Sequence, residues 1–429
     1  MRVAVIGAGI VGVTTAYELA ADGHAVTVLE RRASVAEETS FANAGLVAPA
    51  YVTPWASPGM PAKVLGQLFK RHSAISLARP WADGQLAWML RWWRACSAPV
   101  WQANRASMYA LANYSQQRLA ALSRDLNLSY EQGKGYLVLL REAQELSLAR
   151  PGLAMMADMG AKFQLLNAEQ ARAVEPGLNP DTPLHAAVHL PTAVLGNCRQ
   201  FAQLMRTEGQ RLGVVYRFHR EVLRIVDGTQ PAVHHRTAEL GASQDTTVQQ
   251  DQFDAVVVCA AVGSRQLLAN LGLRLPLLPV HGYSISAPLR LVEGHPELGP
   301  QGAVMDERYK VAISRLGSRI RVAGSAEVGG RLSQLRESAV DTLYKILNDW
   351  YPGAAQLAHV QAWKGARPML PDGPPVLGGS GRSGVWLNLG HGSSGWALAC
   401  GSARVLADQL AQRAPAIDVA GLDVSRLRR

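Results

Sequence analysis

The first thirty residues constrain the chain most. Val3-Ala-Val-Ile6 is a short apolar run of β character. Gly7-Ala-Gly9-Ile10-Val11-Gly12 follows at once, and Val13 to Ala21 reads as a helix that Asp22-Gly23 stops. His24 to Leu29 is a second strand with Glu30 at its end. Each glycine has a job: Gly7 permits a tight turn, Gly9 lets backbone approach a pyrophosphate, and Gly12 lets helix and strand pack closely. The helix N-terminus presents unpaired N–H groups to the phosphates. Glu30 can accept a hydrogen bond from an adenosine ribose, and its charge disfavours a 2′-phosphate. A lone glycine motif is weak, but this whole unit predicts a dinucleotide site on a parallel α/β sheet. By itself the unit fits FAD and NAD equally.

At 429 residues the chain is long enough for two domains. Its net charge is +10, and Lys63 to Asp125 holds nine Lys/Arg against two Asp/Glu. A basic balance suits nucleic acid, a membrane surface, an anionic substrate or simply a solvated face. No nucleic-acid motif accompanies it, so no nucleic-acid partner is expected. Cys96, Cys198, Cys259 and Cys400 are scattered, without a C-x-x-C pair; this argues against a metal site or redox dithiol and fits a reducing, cytoplasmic setting. Met1-Arg2 leads directly into a strand, so no signal peptide is expected, and no apolar run suits a transmembrane helix.

Four later segments bear on the same site. Glu38-Thr-Ser40-Phe-Ala-Asn43-Ala44-Gly45 is too small and polar for a buried strand, and its Ser and Asn can bond phosphate or ring oxygens. Gly213 to Phe218 is a strand followed by Arg220-Glu221-Val222, and Asp254 to Cys259 is another, ending in Ala260-Ala-Val-Gly263-Ser264. Val385 to Leu389 is a strand, and Gly390-His391-Gly392-Ser393-Ser394-Gly395 leads into a helix from about Trp396 to Leu410. A helix N-terminus there can stabilise negative charge on a bound ring.

Together these residues resemble the D-amino-acid-oxidase-like FAD-dependent oxidoreductases, most closely the bacterial D-amino acid dehydrogenase small-subunit branch. The likeness is carried by Glu38 to Gly45 with Pro54-Trp55, by Tyr309 to Arg315, by Trp363-Lys-Gly-Ala-Arg-Pro368 with Pro371 to Gly378, and by Asn388 to Trp396. It implies an α/β fold: an FAD-binding Rossmann-like domain over about residues 1–60, 185–265 and 355–429, and a substrate domain with a mostly antiparallel sheet over 61–184 and 266–354. It implies FAD held by Gly7, Gly9, Ile10, Val11, Gly12, Glu30, Arg31, Ser40, Asn43, Ala44, Gly45, Val222, Ala260, Gly263, Gly390, His391, Gly392, Ser393 and Ser394. The attachment is expected to be non-covalent, since Gly365 to Leu370 contains no Cys.

The same resemblance makes Arg367 the carboxylate-binding residue, because a planar guanidinium meets two oxygens at once. Tyr309 is expected near the flavin face, with Tyr283 and Tyr51 on the pocket wall. The implied reaction removes a hydride from Cα of a D-amino acid, gives an imino acid that hydrolyses to a 2-oxo acid and ammonia, and passes electrons to a quinone or another respiratory-chain acceptor. Alternatives are a glycine- or sarcosine-type oxidase using O₂ and a D-proline or D-hydroxyproline dehydrogenase. Trp81, Trp88, Trp92, Trp93 and Trp101, with Arg91 and Arg94 between them, suit peripheral contact with the inner face of the cell membrane and a buried helix equally.

Overall fold

The computed structural model describes residues 1–67, 72–238, 247–290, 292 and 298–427. Arg2–Ile6 is buried along nearly its whole length, as a strand must be when both sheet faces are covered. It pairs in parallel with Ala25–Leu29 on one side and Ala255–Val258 on the other. Val215–Arg217, Val385–Leu389 and the antiparallel edge strand Val376–Gly379 complete a six-stranded sheet. Three of its parallel strands lie side by side in register: Val5 faces Val257, which faces Trp386. Their carboxyl ends therefore bring the loops at Gly7, Ala260 and Gly390 to one sheet edge, where open α/β sheets bind ligands.

Helices Ile10–Ala21 and Gly395–Leu410 cover one face of this sheet. Helix Ala98–Asp125, expected with the substrate part, packs with them instead. The reason is a shared core and a shared charge: Glu18, fully buried, receives two hydrogen bonds from Arg118 at 2.6 and 2.8 Å and one from Arg404 at 2.9 Å. Removing either arginine would leave that carboxylate under-compensated in the interior.

The second layer is a nine-stranded, mostly antiparallel sheet. Ala186–His189 and Gln361–Met369, placed by sequence with the dinucleotide part, are strands of this larger sheet. The chain leaves and re-enters each layer within these segments, so a linear boundary misassigned them. Helix Glu337–Trp350 seals one face through Leu343, Ile346 and Trp350. The other face is floored by a cross-strand row in which Ala323, Ala312, Met305, Val138 and Val188 lie opposite one another in turn. At about 4.8 Å per strand the row spans roughly 19 Å.

Candidate active site

A cavity of about 670 Å³ lies between the two sheets, within the range of small-molecule and cofactor sites. At its dinucleotide end Gly7 turns with φ +99°, and a Cβ on Gly12 would stand 1.9 Å from the Gly7 carbonyl oxygen. Only glycines close this turn. Gly9 itself supplies no capping side chain, and the Ile10 N–H donates to Ser40 Oγ at 3.1 Å. Glu30 accepts hydrogen bonds from Ala8 N at 2.7 Å and Arg32 N at 2.8 Å. Burial pushes its carboxyl up, and the two N–H donors oppose that rise. Asn388 Oδ1 is a buried acceptor without a partner among the described residues, in the wall of the same cavity. The glycine cradle and the orphaned acceptor both fit a dinucleotide cofactor.

The expected cofactor contacts do not all reach the cavity. Gly9, Ile10, Val11, Ser40, Asn43, Ala44, Gly45, Gly390, His391, Gly392, Ser393 and Ser394 line the cavity. Gly7, Gly12, Glu30 and Ala260 stand behind the first loop and shape it. Arg31 points elsewhere, half-exposed and ion-paired with Glu38 at 2.6 Å. Val222 packs with Ala260 against the core, and Gly263 ends a short turn, Ala261–Gly263.

The substrate end is built by alternation along Gln361–Met369. Trp363, Gly365 and Arg367 share the cavity face, whereas Lys364 points to the other. A Cβ at Gly365 would meet the Trp363 ring at 1.8 Å, and one at Gly282 would meet Arg367 Nη2 at 2.3 Å. The two glycines face each other across paired strands, so the guanidinium lies flat over bare backbone. Arg367 donates to the Ser325 carbonyl at 2.9 Å, which leaves most of its donors for a ligand. Burial lowers it to about 10, still a cation at neutral pH.

Sequence comparison settles the lineage. A family model described as DAO, FAD dependent oxidoreductase, matches residues 2–409. The chain belongs to that family. It is 40% identical to a D-amino acid dehydrogenase of Bradyrhizobium diazoefficiens over 99% of both chains. It is 41% identical to one from Cereibacter sphaeroides over 99% of this chain and 95% of that one. Among solved structures it resembles a glycine oxidase from Geobacillus kaustophilus, with TM-score 0.75, 20% identity and 99% coverage of each chain. It also resembles an L-proline dehydrogenase from P. horikoshii, with TM-score 0.72, 16% identity and coverage of 100% and 98%. These two likenesses establish the fold. As a DAO-family oxidoreductase, the chain uses FAD as cofactor.

Within this family fold the tyrosines separate. Tyr51 lines the cavity and donates to Glu307 at 2.5 Å, and Lys310 binds both Glu307 and the Tyr51 hydroxyl. Burial would raise the Glu307 carboxyl, but Lys310 holds it below its ordinary range. Tyr283 borders the cavity, but its hydroxyl donates to Glu327 at 2.8 Å. Tyr309 corrects the expectation: it does not line the cavity. Its ring packs under Arg141 at 5.4 Å and Lys345 at 5.5 Å, on the side sealed by Glu337–Trp350. His391 is buried, bonded to Ser402 Oγ at 3.0 Å and pushed down to about 3 by burial, so it is a neutral prop rather than a proton carrier. Cys259 touches the cavity, yet burial pushes its thiol up to about 12.

Glu307, Lys310, Tyr136 and Arg105 escaped the sequence reading. None sits in a glycine motif, and they reach the cavity from three separate places: the turn before Val311–Leu316, strand Tyr136–Leu140 and helix Ala98–Asp125.

Glu327 carries a pH prediction. Burial opposes its charge, but hydrogen bonds from His281, Lys364 and Tyr283 and the Lys364 charge bring it down to about 2. An unfolded Glu titrates near about 4.3. The folded value is the lower one, so this group stabilises the fold above about pH 4.3 and loses that contribution as pH falls toward 2. Melting temperature followed over that interval should fall in the wild type, and Glu327→Gln should lack this component of the fall. Parallel curves would remove Glu327 from the acid response.

Proposed function

We propose that the chain oxidises D-amino acids to 2-oxo acids and ammonia and delivers the electrons to a quinone rather than to O₂. The observation that carries this reading is Arg367, a buried cation over a glycine floor with donors to spare. Bound FAD supplies the hydride acceptor. Arg367 grips the substrate carboxylate in two-pronged fashion, which fixes Cα against the floor. The apolar row from Ala323 to Val188 excludes water from the reacting centre. His391 and Tyr51 are already committed to Ser402 and Glu307, so the amine binds as the free base, its proton lost to solvent beforehand. The imino acid that forms takes up water, giving the 2-oxo acid and ammonia. The D configuration rests on the whole-chain likeness to relatives named D-amino acid dehydrogenases. An anaerobic assay with paired D- and L-amino acids and a soluble quinone analogue tests the reading. Turnover of L-forms, or peroxide formed in air at the rate of quinone reduction, would overturn it.

Membrane contact is the second part of the proposal. Among the described residues no helix is long and apolar enough to cross a membrane. The tryptophan tract splits by face: Trp88 is buried and bonded to the Met369 carbonyl, and Trp92 and Trp101 line the cavity. Leu86, Leu90 and Trp93 lie on the exposed side of Gln85–Ala95 at 62, 46 and 65% exposure, with Arg91 and Arg94 beside them. Apolar side chains ringed by cations suit an anionic lipid surface. Leu86→Ser/Leu90→Ser/Trp93→Ser should bind anionic liposomes at least about tenfold more weakly, as expected when some 100 Å² or more of apolar contact is lost. Flavin content should not change. Unaltered sedimentation with liposomes would exclude this face.

A further inference from the structure

The cavity lining is unbalanced in charge. Lys63, Arg105, Lys310 and Arg367 line it, against the single carboxylate of Glu307 among the described residues. Lys63 is solvent-exposed, Lys310 is neutralised by Glu307, and Arg367 is assigned to the substrate carboxylate. Arg105 remains. It is 4% exposed, and its contacts are Met155 Sδ at 3.1 Å and the Gly152 carbonyl at 3.4 Å, neither of them charged. Among the described residues its Nε has no hydrogen-bond partner, and neither do the indole N–H groups of Trp92 and Trp101. The three residues line the cavity, and all three groups only donate. The Arg105 guanidinium lies 5.2 Å from the centre of the Trp101 ring, which holds it in place.

A buried cation without a counter-charge is costly, and so is each unmade donor bond. A ligand bearing a second anionic group relieves both. The phosphates of the dinucleotide do not serve, because their place is the glycine loop at Gly9 and Ser40. Arg105 instead abuts helix Ala143–Asp158, which packs through Met156 and Leu153 on strand Tyr136–Leu140 of the large sheet. We propose that Arg105, with the Trp92 and Trp101 N–H groups, forms a second carboxylate subsite, so that D-amino acids with acidic side chains are substrates of this chain. The inference rests on the deamination reading for the word substrate, but not for the binding.

Calorimetry on the FAD-loaded protein tests it with unreactive probes. Succinate, glutarate and adipate are compared with butyrate, valerate and hexanoate, which have the same carbon counts and one carboxylate fewer. One diacid should bind at least about tenfold more tightly than its monoacid, the gain of a charge-assisted bond in a buried site. Arg105→Met should collapse that ratio, and Arg105→Lys should keep part of it. The kcat/KM ratio of D-glutamate to D-norvaline should fall in the same order. Equal binding of monoacid and diacid at all three lengths overturns the subsite. So does a ratio that survives in Arg105→Met, and the wild-type comparison decides even if that variant does not fold. Oxidation of D-alanine without any diacid preference would remove the subsite alone. A diacid preference without oxidation of any D-amino acid would keep the subsite and remove the deamination reading.

Discussion

Arg367→Ala should retain its flavin and lose at least about 100-fold in kcat/KM. Each charge-assisted hydrogen bond contributes roughly 1.5–3 kcal/mol, and a two-pronged grip makes two of them. The structure adds a geometric reason for the size of the effect. Arg367 lies within the space that a side chain at Gly282 would need, so no neighbouring group can take its place over the floor. Arg367→Lys should recover only part, since an ammonium cannot reproduce the planar fork. Substitution also removes the basis for telling an amino acid from its amide, so the variant should discriminate poorly between them. A purely structural arginine predicts the reverse: a lower melting temperature and lost flavin, with selectivity intact in the surviving activity. Flavin content, melting temperature and kcat/KM on one preparation separate the two, and near wild-type kinetics in Arg367→Ala would end the assignment.

Gly12→Ala should cost the protein its flavin. The added methyl would stand 1.9 Å from the Gly7 carbonyl oxygen, which is backbone and cannot swing aside. Gly7 is itself confined, because its own Cβ position lies 2.8 Å from the Cys259 carbonyl oxygen. Relief requires the loop to move away from the helix, and the phosphate cradle moves with it. Forced displacements of this kind cost about 1–3 kcal/mol, or roughly fivefold to 150-fold in FAD affinity. Gly263→Ala is the matched control. It has ordinary φ, and a Cβ there finds nothing nearer than Ala260 Cβ at 3.9 Å. That variant should purify yellow, whereas Gly12→Ala should purify pale and bind added FAD weakly. Equal flavin content in the two proteins would show that the close approach of Gly7 and Gly12 is not what holds the cofactor.

The substrate side joins residues that lie far apart in the chain. Glu307 and Lys310 belong to one short segment, whereas Tyr51 is more than 250 positions away, so nothing local signals their meeting. Tyr309 illustrates the opposite error. It neighbours the right strand, but the turn before Val311–Leu316 sends its ring to the helix-covered face, toward Arg141. Side-chain direction at a turn depends on local dihedrals that a motif does not encode.

By itself the sequence determined the dinucleotide half. Strand, glycine loop, helix and acid are contiguous, their spacing is imposed by backbone sterics, and a Cβ at Gly12 is excluded whatever packs around it. Arg367 was named through the family resemblance, as part of an unbroken motif on one strand, and it lines the cavity. Only the tertiary structure decided which face of the tryptophan tract is buried, that Ala186–His189 and Gln361–Met369 belong to the large sheet, and that Arg105 lies in the cavity without a counter-charge among the described residues. Those outcomes depend on pairings between strands and helices far apart in the chain. Hydrophobic burial selects such pairings by summed area over many residues, so no short segment carries them alone.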